Sequence, residues 1–140
     1  GEGRISAATN DLVYGLQLAR SEAIKRAAPA ILCPSAAPLA AAPTCDDTPW
    51  SSGWIVIADA DGNGVLNGAD AVVQQREALE PGLTFTPTAT ISAGVRFDAA
   101  GGSVDAVGAP RPGDILIELD DGDRRRVSVR ASGRIGSVTP

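Results

Sequence analysis

Residues 11–34 constrain this chain most, because a helical pattern there runs without a break into a strand. Ile5, Ala8, Leu12, Leu16, Ala19, Ala23 and Ala27 recur at spacings of three and four, which lines one face of a helix. Asp11, Gln17, Arg20, Glu22, Lys25 and Arg26 fall on the other face. Glu22 precedes Arg26 by four residues, the favourable order for an ion pair. Pro29 pushes the residue before it out of the helical region, so the helix is expected over 1–28. The next residues, Ala30-Ile31-Leu32, form a short apolar strand closed by Cys33. A helix that turns directly onto a sheet must pack against it, and an alanine-rich stripe permits a close approach. The pattern is already running at Ile5, with neither a starting Met nor a capped helix start before it, so a further segment is expected upstream.

The rest of the chain is patterned for strands. One domain is expected over 1–140, with β structure over 30–140. Sixteen Gly, ten Pro and 44% hydrophobic residues suit a turn-rich β domain with a modest core. Strands are predicted at 54–58, 83–86, 91–97 and 104–107. The segment 71–79 favours a strand only weakly, through Val72-Val73. Gly101-Gly102 marks a turn, and Ala109-Pro110-Arg111-Pro112-Gly113 a stiff linker.

The last hairpin is the clearest element. Ile115, Ile117 and Leu119 alternate with Asp114, Leu116, Glu118 and Asp120, and Val127 and Val129 alternate with Arg126, Ser128 and Arg130. A three-residue loop, Asp121-Gly122-Asp123, sets Ile117 opposite Val127 and Ile115 opposite Val129. A two-residue loop would set Ile117 opposite Arg126 and spoil the apolar face, so the pattern selects the longer loop. That register brings Asp114 across from Arg130, Glu118 from Arg126 and Asp120 from Arg124.

Several of these segments, in their order, resemble a known family. They are Leu18 to Arg26, then Leu32-Cys33-Pro34-Ser35, Cys45, Gly53-Trp54-Ile55-Val56-Ile57 before an Asp-rich turn, and the closing Val127 to Ile135. Together they resemble the FimT/GspH family of minor type IV pilins and pseudopilins, over about residues 5–135. The resemblance implies an α+β, pilin-like fold. An N-terminal helix packs on antiparallel sheets, and residues 1–28 are the second half of a longer helix whose first half anchors in the membrane. No run of about 18 apolar residues occurs in the chain. The resemblance further implies a non-enzymatic role: incorporation into a pilus near its tip, support of its assembly, and a link to twitching motility and methylation. The implied partners are other minor and major pilins, met through the helix and the sheet face, and the inner membrane through the upstream segment. The implied location is the Gram-negative inner membrane and periplasm, then the extracellular pilus. The nearest alternative is a type II secretion pseudopilin, and another is a DNA-binding pilin for uptake in natural transformation. A calcium-loaded adhesion or scaffold module without a pilus role is a further rival.

Composition narrows the chemistry. The chain has no His, which removes the usual general base and zinc ligand and any Ser-His or Cys-His pair. No pair of carboxylates is spaced to suggest catalysis, so no enzyme activity is expected. The two cysteines, Cys33 and Cys45, flank the Pro/Ala-rich loop 34–44. A metal site and a redox pair are the functional alternatives, but two Cys alone make a poor zinc site and the spacing is not Cys-x-x-Cys. A structural disulfide is the favoured reading, and it implies an oxidising compartment. The pairing also resembles the pilus branch of the family more than the secretion branch.

Two motifs carry possible ligands. In Asp59-Ala60-Asp61-Gly62-Asn63-Gly64-Val65-Leu66-Asn67-Gly68-Ala69-Asp70, oxygen side chains hold the first, third, fifth, ninth and twelfth positions and Gly the sixth. That is the spacing of a calcium loop, with Asp59, Asp61, Asn63 and Asp70 as ligands beside the Val65 carbonyl. Against it, the preceding segment is a strand, and Asp, Asn and Gly are also ordinary turn residues. No other cofactor is expected. The second motif is the basic tail, Arg124, Arg125, Arg126, Arg130 and Arg134. Some FimT-like pilins bind DNA through a C-terminal Gly-Arg-x-Arg pattern, which here reads Gly133-Arg134-Ile135-Gly136 and lacks the second Arg. The hairpin register pairs three of the arginines with carboxylates, leaving Arg134 and Arg125 for DNA. The net charge is −5, so DNA binding is expected to be weak and salt-sensitive.

Overall fold

The computed structural model describes residues 2–67 and 70–140. Helix α1 spans Glu2–Arg26. The strands are β1 (Ala30–Pro34), β2 (Trp54–Ala58), β3 (Ala71–Arg76), β4 (Leu83–Pro87), β5 (Val95–Phe97), β6 (Ser103–Val104), β7 (Gly113–Leu119), β8 (Arg124–Val129) and β9 (Ile135–Val138).

The expected stripe of α1 is buried through Ala23, with Ile5, Leu12, Leu16, Ala19 and Ala23 fully shielded. Ala27 departs from it. The helix ends at Arg26, two residues before the expected end at 28, and Ala27 takes φ 53. The Ala28 N–H donates to the Ala23 carbonyl and the Ala27 N–H to that of Ile24, both at 3.2 Å. These two bonds form the left-handed helix ending that usually carries glycine. Glu22 also departs from its predicted polar face. It is buried, held by Lys25 Nζ and Arg26 Nε, each at 3.1 Å. Lys25 first and Arg26 after it keep its carboxyl below the ordinary glutamate range.

Because α1 ends three residues before β1, that strand lands at the centre of a five-stranded antiparallel sheet ordered β3-β2-β1-β5-β6. A second antiparallel sheet is ordered β4-β7-β8-β9. The inner faces of both sheets and the stripe of α1 form one cluster, in which Trp54 meets Phe85 edge-on at 5.9 Å. At Gly15 the approach of helix to sheet is so close that a Cβ would sit 2.8 Å from Leu32 Cδ1. Polar ties flank this contact. Arg76 pairs with Asp11 at 2.9 Å and lies 6.0 Å over the Trp54 ring, and Arg4 pairs with Glu80 at 3.0 Å.

Strand limits moved where side-chain burial and strand pairing part company. The weakly favoured 71–79 becomes β3, which stops at Arg76. Of 91–97, only Val95–Phe97 is strand. Ile91 belongs to a 3-10 turn over Ala89–Ile91, yet its side chain is fully buried. Of 104–107, only Val104 is strand, joined by Ser103. The next residues turn around Asp105, whose Oδ1 accepts the Val107 and Ala109 N–H groups at 3.0 and 2.9 Å. The expected linker instead pairs Pro110 with Val104 and begins β7 at Gly113. Strand β9 has no counterpart in the expectation; its Gly136 and Ser137 give it little apolar pattern.

The hairpin has the expected loop length and inward faces but a register displaced by two residues. Ile115 faces Val127 and Ile117 faces Arg125. The Leu119 N–H donates to the Asp123 carbonyl, so the loop is Asp120-Asp121-Gly122. Three-residue loops place a left-handed residue last, and Gly122 supplies it with φ 98. The predicted loop had put Gly122 in the middle. A two-residue shift keeps both apolar sets inward but removes all three predicted charge pairs; Glu118 now meets Arg124, at 3.6 Å.

The turn after β8 docks on the β5–β6 turn through Gly133. A Cβ there would meet the Gly101 carbonyl at 1.7 Å, and φ is 88. Arg20 Nε donates to that same carbonyl at 2.9 Å. Two glycine exchanges should therefore act in opposite directions. Ala27→Gly should stabilise by about 1 kcal/mol by relieving left-handed strain, and Gly133→Ala should destabilise by about 3 kcal/mol. Urea unfolding of both variants checks this, and a stabilising Gly133→Ala would contradict the docking described.

Candidate assembly and ligand surfaces

Cys33 and Cys45 are bonded, with Cα atoms 5.5 Å apart, which decides among the readings the sequence left open. Cys33 lies opposite Ile55 on the outer face of the first sheet, and both are fully buried although neither joins the helix-side cluster. The disulfide loop covers them. Gln75 Nε2 donates to the carbonyls of Pro38 and Ala40 at 2.9 and 3.0 Å. Asp46 closes the base of the loop by accepting the Ala36 N–H at 2.7 Å and the Thr44 hydroxyl at 2.8 Å. The Ala36 N–H, then the Thr44 hydroxyl, hold its carboxyl below the usual aspartate value.

The acidic loop joins β2 to β3. Asp59 directly follows β2 and is 3% exposed. Its Oδ1 accepts the Gly62 N–H at 3.1 Å and its Oδ2 accepts the N–H of Gly64. Asp61 Oδ1 accepts the Asn63 N–H at 3.2 Å, and the Asn67 N–H donates to Asp70 Oδ2. The expected ligands Asp59, Asp61 and Asp70 do converge, and the Asn63 amide lies 3.1 Å from Asp61 Oδ2. Contact with Asp61 lowers the Asp59 carboxyl, and contact with Asp59 raises that of Asp61. Gly68 and Ala69, within the same motif, lie outside the described residues. Between this loop and the disulfide loop is a cavity of about 340 Å³, whose walls include Ile31, Cys45, Ile57, Leu66 and Arg96. Burial first, and then Arg111, push the Arg96 guanidinium below its usual value. Nothing in the sequence pattern singled out Arg96, because a lone arginine in a strand carries no signal.

The basic residues divide between two faces. Arg125 shares the inward parity of Val127 and lines a groove with Ser6, Thr9 and Asn10 at the side of α1. Arg134 lies beside Arg130, Ser128 and Gly136 on the outer side of β8 and β9. The structure does not bring the two predicted DNA residues together; it gives Arg134 the neighbour Arg130 instead. Arg126 lies between Leu116 and Val138 in the ladder. Among the described residues, no carboxylate pairs with Arg126, Arg130 or Arg134. Alternation on β8 was the available signal for this face, hidden by the misplaced loop.

Helix α1 leaves one flank uncovered. Ala7, Asn10, Tyr14, Gln17 and Ser21 are exposed, Tyr14 at 61%, and Ile24 is 46% exposed on the adjoining side. No helix among the described residues is long and apolar enough to cross a membrane.

A helix laid on antiparallel sheets is the arrangement the resemblance implied. The family model for GspH, a type II transport protein, matches residues 8–133. The chain belongs to the GspH family. The type IV minor pilin FimU of Pseudomonas aeruginosa shares 22% identity and a TM-score of 0.69, covering 99% of this chain and 90% of that one. EpsH, a minor pseudopilin of the Vibrio cholerae type 2 secretion system, shares 12% identity and a TM-score of 0.65, covering 98% of each chain. At these identities the likeness establishes the pilin-like α+β fold. No curated protein matches the chain. The GspH family is one of pilins and pseudopilins, structural proteins rather than known enzymes.

Removal of the disulfide tests the part it takes in this fold. The Cys33→Ser, Cys45→Ser variant should lose about 2–4 kcal/mol of stability, measured by chemical unfolding. Unchanged stability would mean that the Asp46 and Gln75 contacts hold the loop alone.

Proposed function

We propose that this domain belongs to a minor type IV pilin that enters the pilus near its tip and supports its assembly without catalysis. The observation that carries the reading is the uncovered flank of α1, with Tyr14 and Ile24 exposed on a helix whose opposite face is locked into the core. Exposed large apolar residues on an otherwise well-packed helix suit a partner surface, and neighbouring pilin helices are the partners proposed. The protein would reach the pilus from the inner membrane and periplasm, where an oxidising milieu allows the disulfide. The disulfide is also what favours the pilus over the secretion branch. In a piliated host, Tyr14→Glu in the full-length protein should leave folding within about 0.5 kcal/mol of the parent and sharply reduce surface pili and twitching. Normal piliation with Tyr14→Glu and Ile24→Glu combined would sink the helix-flank reading. Loss of protein secretion with intact pili on gene deletion would assign the chain to type II secretion.

A second reading, DNA binding, gains from one observation: Arg126, Arg130 and Arg134 share the outer side of β8 and β9 with no carboxylate partner among the described residues. Three phosphate contacts predict an affinity that falls with salt at a log–log slope near −3, by about 0.9 per contact. Gel shifts of duplex DNA across a salt series provide the check. Retention at low salt that vanishes in the Arg126→Ala, Arg130→Ala, Arg134→Ala variant supports uptake as the role, and no retention at any salt removes it.

A further inference from the structure

We propose that β9 is a docking edge, on which an extended, acidic segment of a partner protein adds as a further strand of the second sheet. The inference is independent of whether the domain serves a pilus or a secretion system.

Pairing on one side only leaves β9 with backbone groups to spare. It ends the sheet ordered β4-β7-β8-β9 and pairs with β8 alone. The Arg130 N–H donates to the Arg134 carbonyl at 2.9 Å, so residue 134 directs its carbonyl at β8. Along an antiparallel strand that direction alternates. Gly136 and Val138 therefore bond to β8, and the N–H and C=O groups of Ile135 and Ser137 point away from it. No turn, loop or side-chain hydrogen bond among the described residues uses these four groups. Gly136, Ser137 and Val138 are exposed.

The other three sheet edges are each blunted. Strand β3 carries a bulge opposite the step from Val56 to Ile57 and ends in a charged residue, Arg76. Strand β4 ends at Pro87, which has no N–H to offer a neighbour. Strand β6 is two residues long, and Pro110 bridges to its Val104. Bulges, prolines, charges and short strands are the devices by which sheets avoid chance pairing. Strand β9 has none of them. Ile135–Val138 runs in unbroken register with β8 and holds neither charge nor proline. An edge left open where the others are closed is an edge kept for a partner.

Charge selects the occupant. The chain carries −5 overall, yet the outer side of this edge is cationic. Arg126 lies opposite Val138, and Arg130 and Arg134 share a depression with Gly136, Ser137 and Val138. A second copy of the chain would bring another arginine row to the same seam, where like charges oppose pairing. A segment with carboxylates at alternate residues would set them beside the arginines while its backbone bonded Ile135 and Ser137. On the inner side a groove of about 220 Å³ separates α1 from β9, walled by Ser6, Thr9, Asn10 and Thr139. It leaves room for the side chains that alternate with the carboxylates. In such additions the main-chain bonds supply affinity and the alternate side chains supply selectivity.

The test is a nuclear magnetic resonance titration of the isotope-labelled domain with a capped peptide that alternates valine and glutamate. A peptide that alternates valine and lysine is the control. In the free protein the Gly136 and Val138 amides should exchange with solvent slowly and those of Ile135 and Ser137 fast. The glutamate peptide should half-saturate at or below about 1 mM, shift the Ile135 and Ser137 amide signals and slow their exchange at least tenfold. The lysine peptide should do neither. Ser137→Pro removes an outward N–H and no bond to β8, so it should keep the melting temperature near that of the parent and lose the peptide. Arg134→Glu, on the exposed side, should weaken binding of the glutamate peptide at least tenfold. A glutamate peptide that leaves the Ile135 and Ser137 amides unchanged overturns the docking edge. So do shifts confined to the arginine side chains, which would mark a general polyanion surface of the kind DNA would use. Equal response to both peptides, or binding that survives both Ser137→Pro and Arg134→Glu, overturns it as well.

Discussion

The packing of α1 into the trough between the two sheets sets the terms for everything else in this fold. Alanine at positions 8, 19 and 23 and glycine at 15 let the helix lie close against the sheet. The bulk of that core then comes from the strands, through Trp54, Phe85, Phe97 and the branched residues of β7 and β8. One side is small and interlocked, which leaves the other free of structural duty. Arg4, Asp11 and Arg20 pin the helix along its length to Glu80, Arg76 and Gly101. The pins come from the end of β3, from the β3–β4 connection and from the β5–β6 turn.

Where the helix stops decides the topology. The helix ends at Arg26, Ala27 turns the chain, and β1 begins three residues on, in the middle of the first sheet. A central strand has two covered edges but still two faces. The inner face of β1 meets α1; its outer face, with Cys33, is left for the disulfide loop to shield. That loop lacks regular structure, so it relies on a covalent bond, on the Asp46 clamp and on Gln75. The surfaces proposed for function fall outside this frame: the helix flank and the outer side of β8 and β9.

Much of the frame was legible in sequence. The helix face was readable because burial repeats with the helical period, β2 because its apolar run coincides with the strand, and β4 because Pro81 and Pro87 bound it. Reading failed where burial and pairing separate. Ile91 is wholly buried yet sits in a 3-10 turn, while β9 pairs along its length with few apolar residues. In the last hairpin the alternation established which residues face inward, but alternation repeats every two residues and cannot distinguish registers two apart. The loop chemistry of Gly122 chose between them, and with that choice the partners of Arg126 and Arg130 changed.

The sequence by itself determined the helix stripe through Ala23, a helix end ahead of the proline and the strand parity, because each depends on neighbours a few residues apart. The Glu22–Arg26 pair was legible in its spacing, but only the tertiary structure decided which charges distant in sequence meet. It buried Glu22 between two cations, parted Arg125 from Arg134 across β9, and drew Asp59, Asp61 and Asp70 within reach of one another. It also gave Gly133 its work, which is contact with Gly101 thirty-two residues earlier in the chain. Coulombic and steric terms depend on distance in space, and a chain reveals that distance only when it is folded.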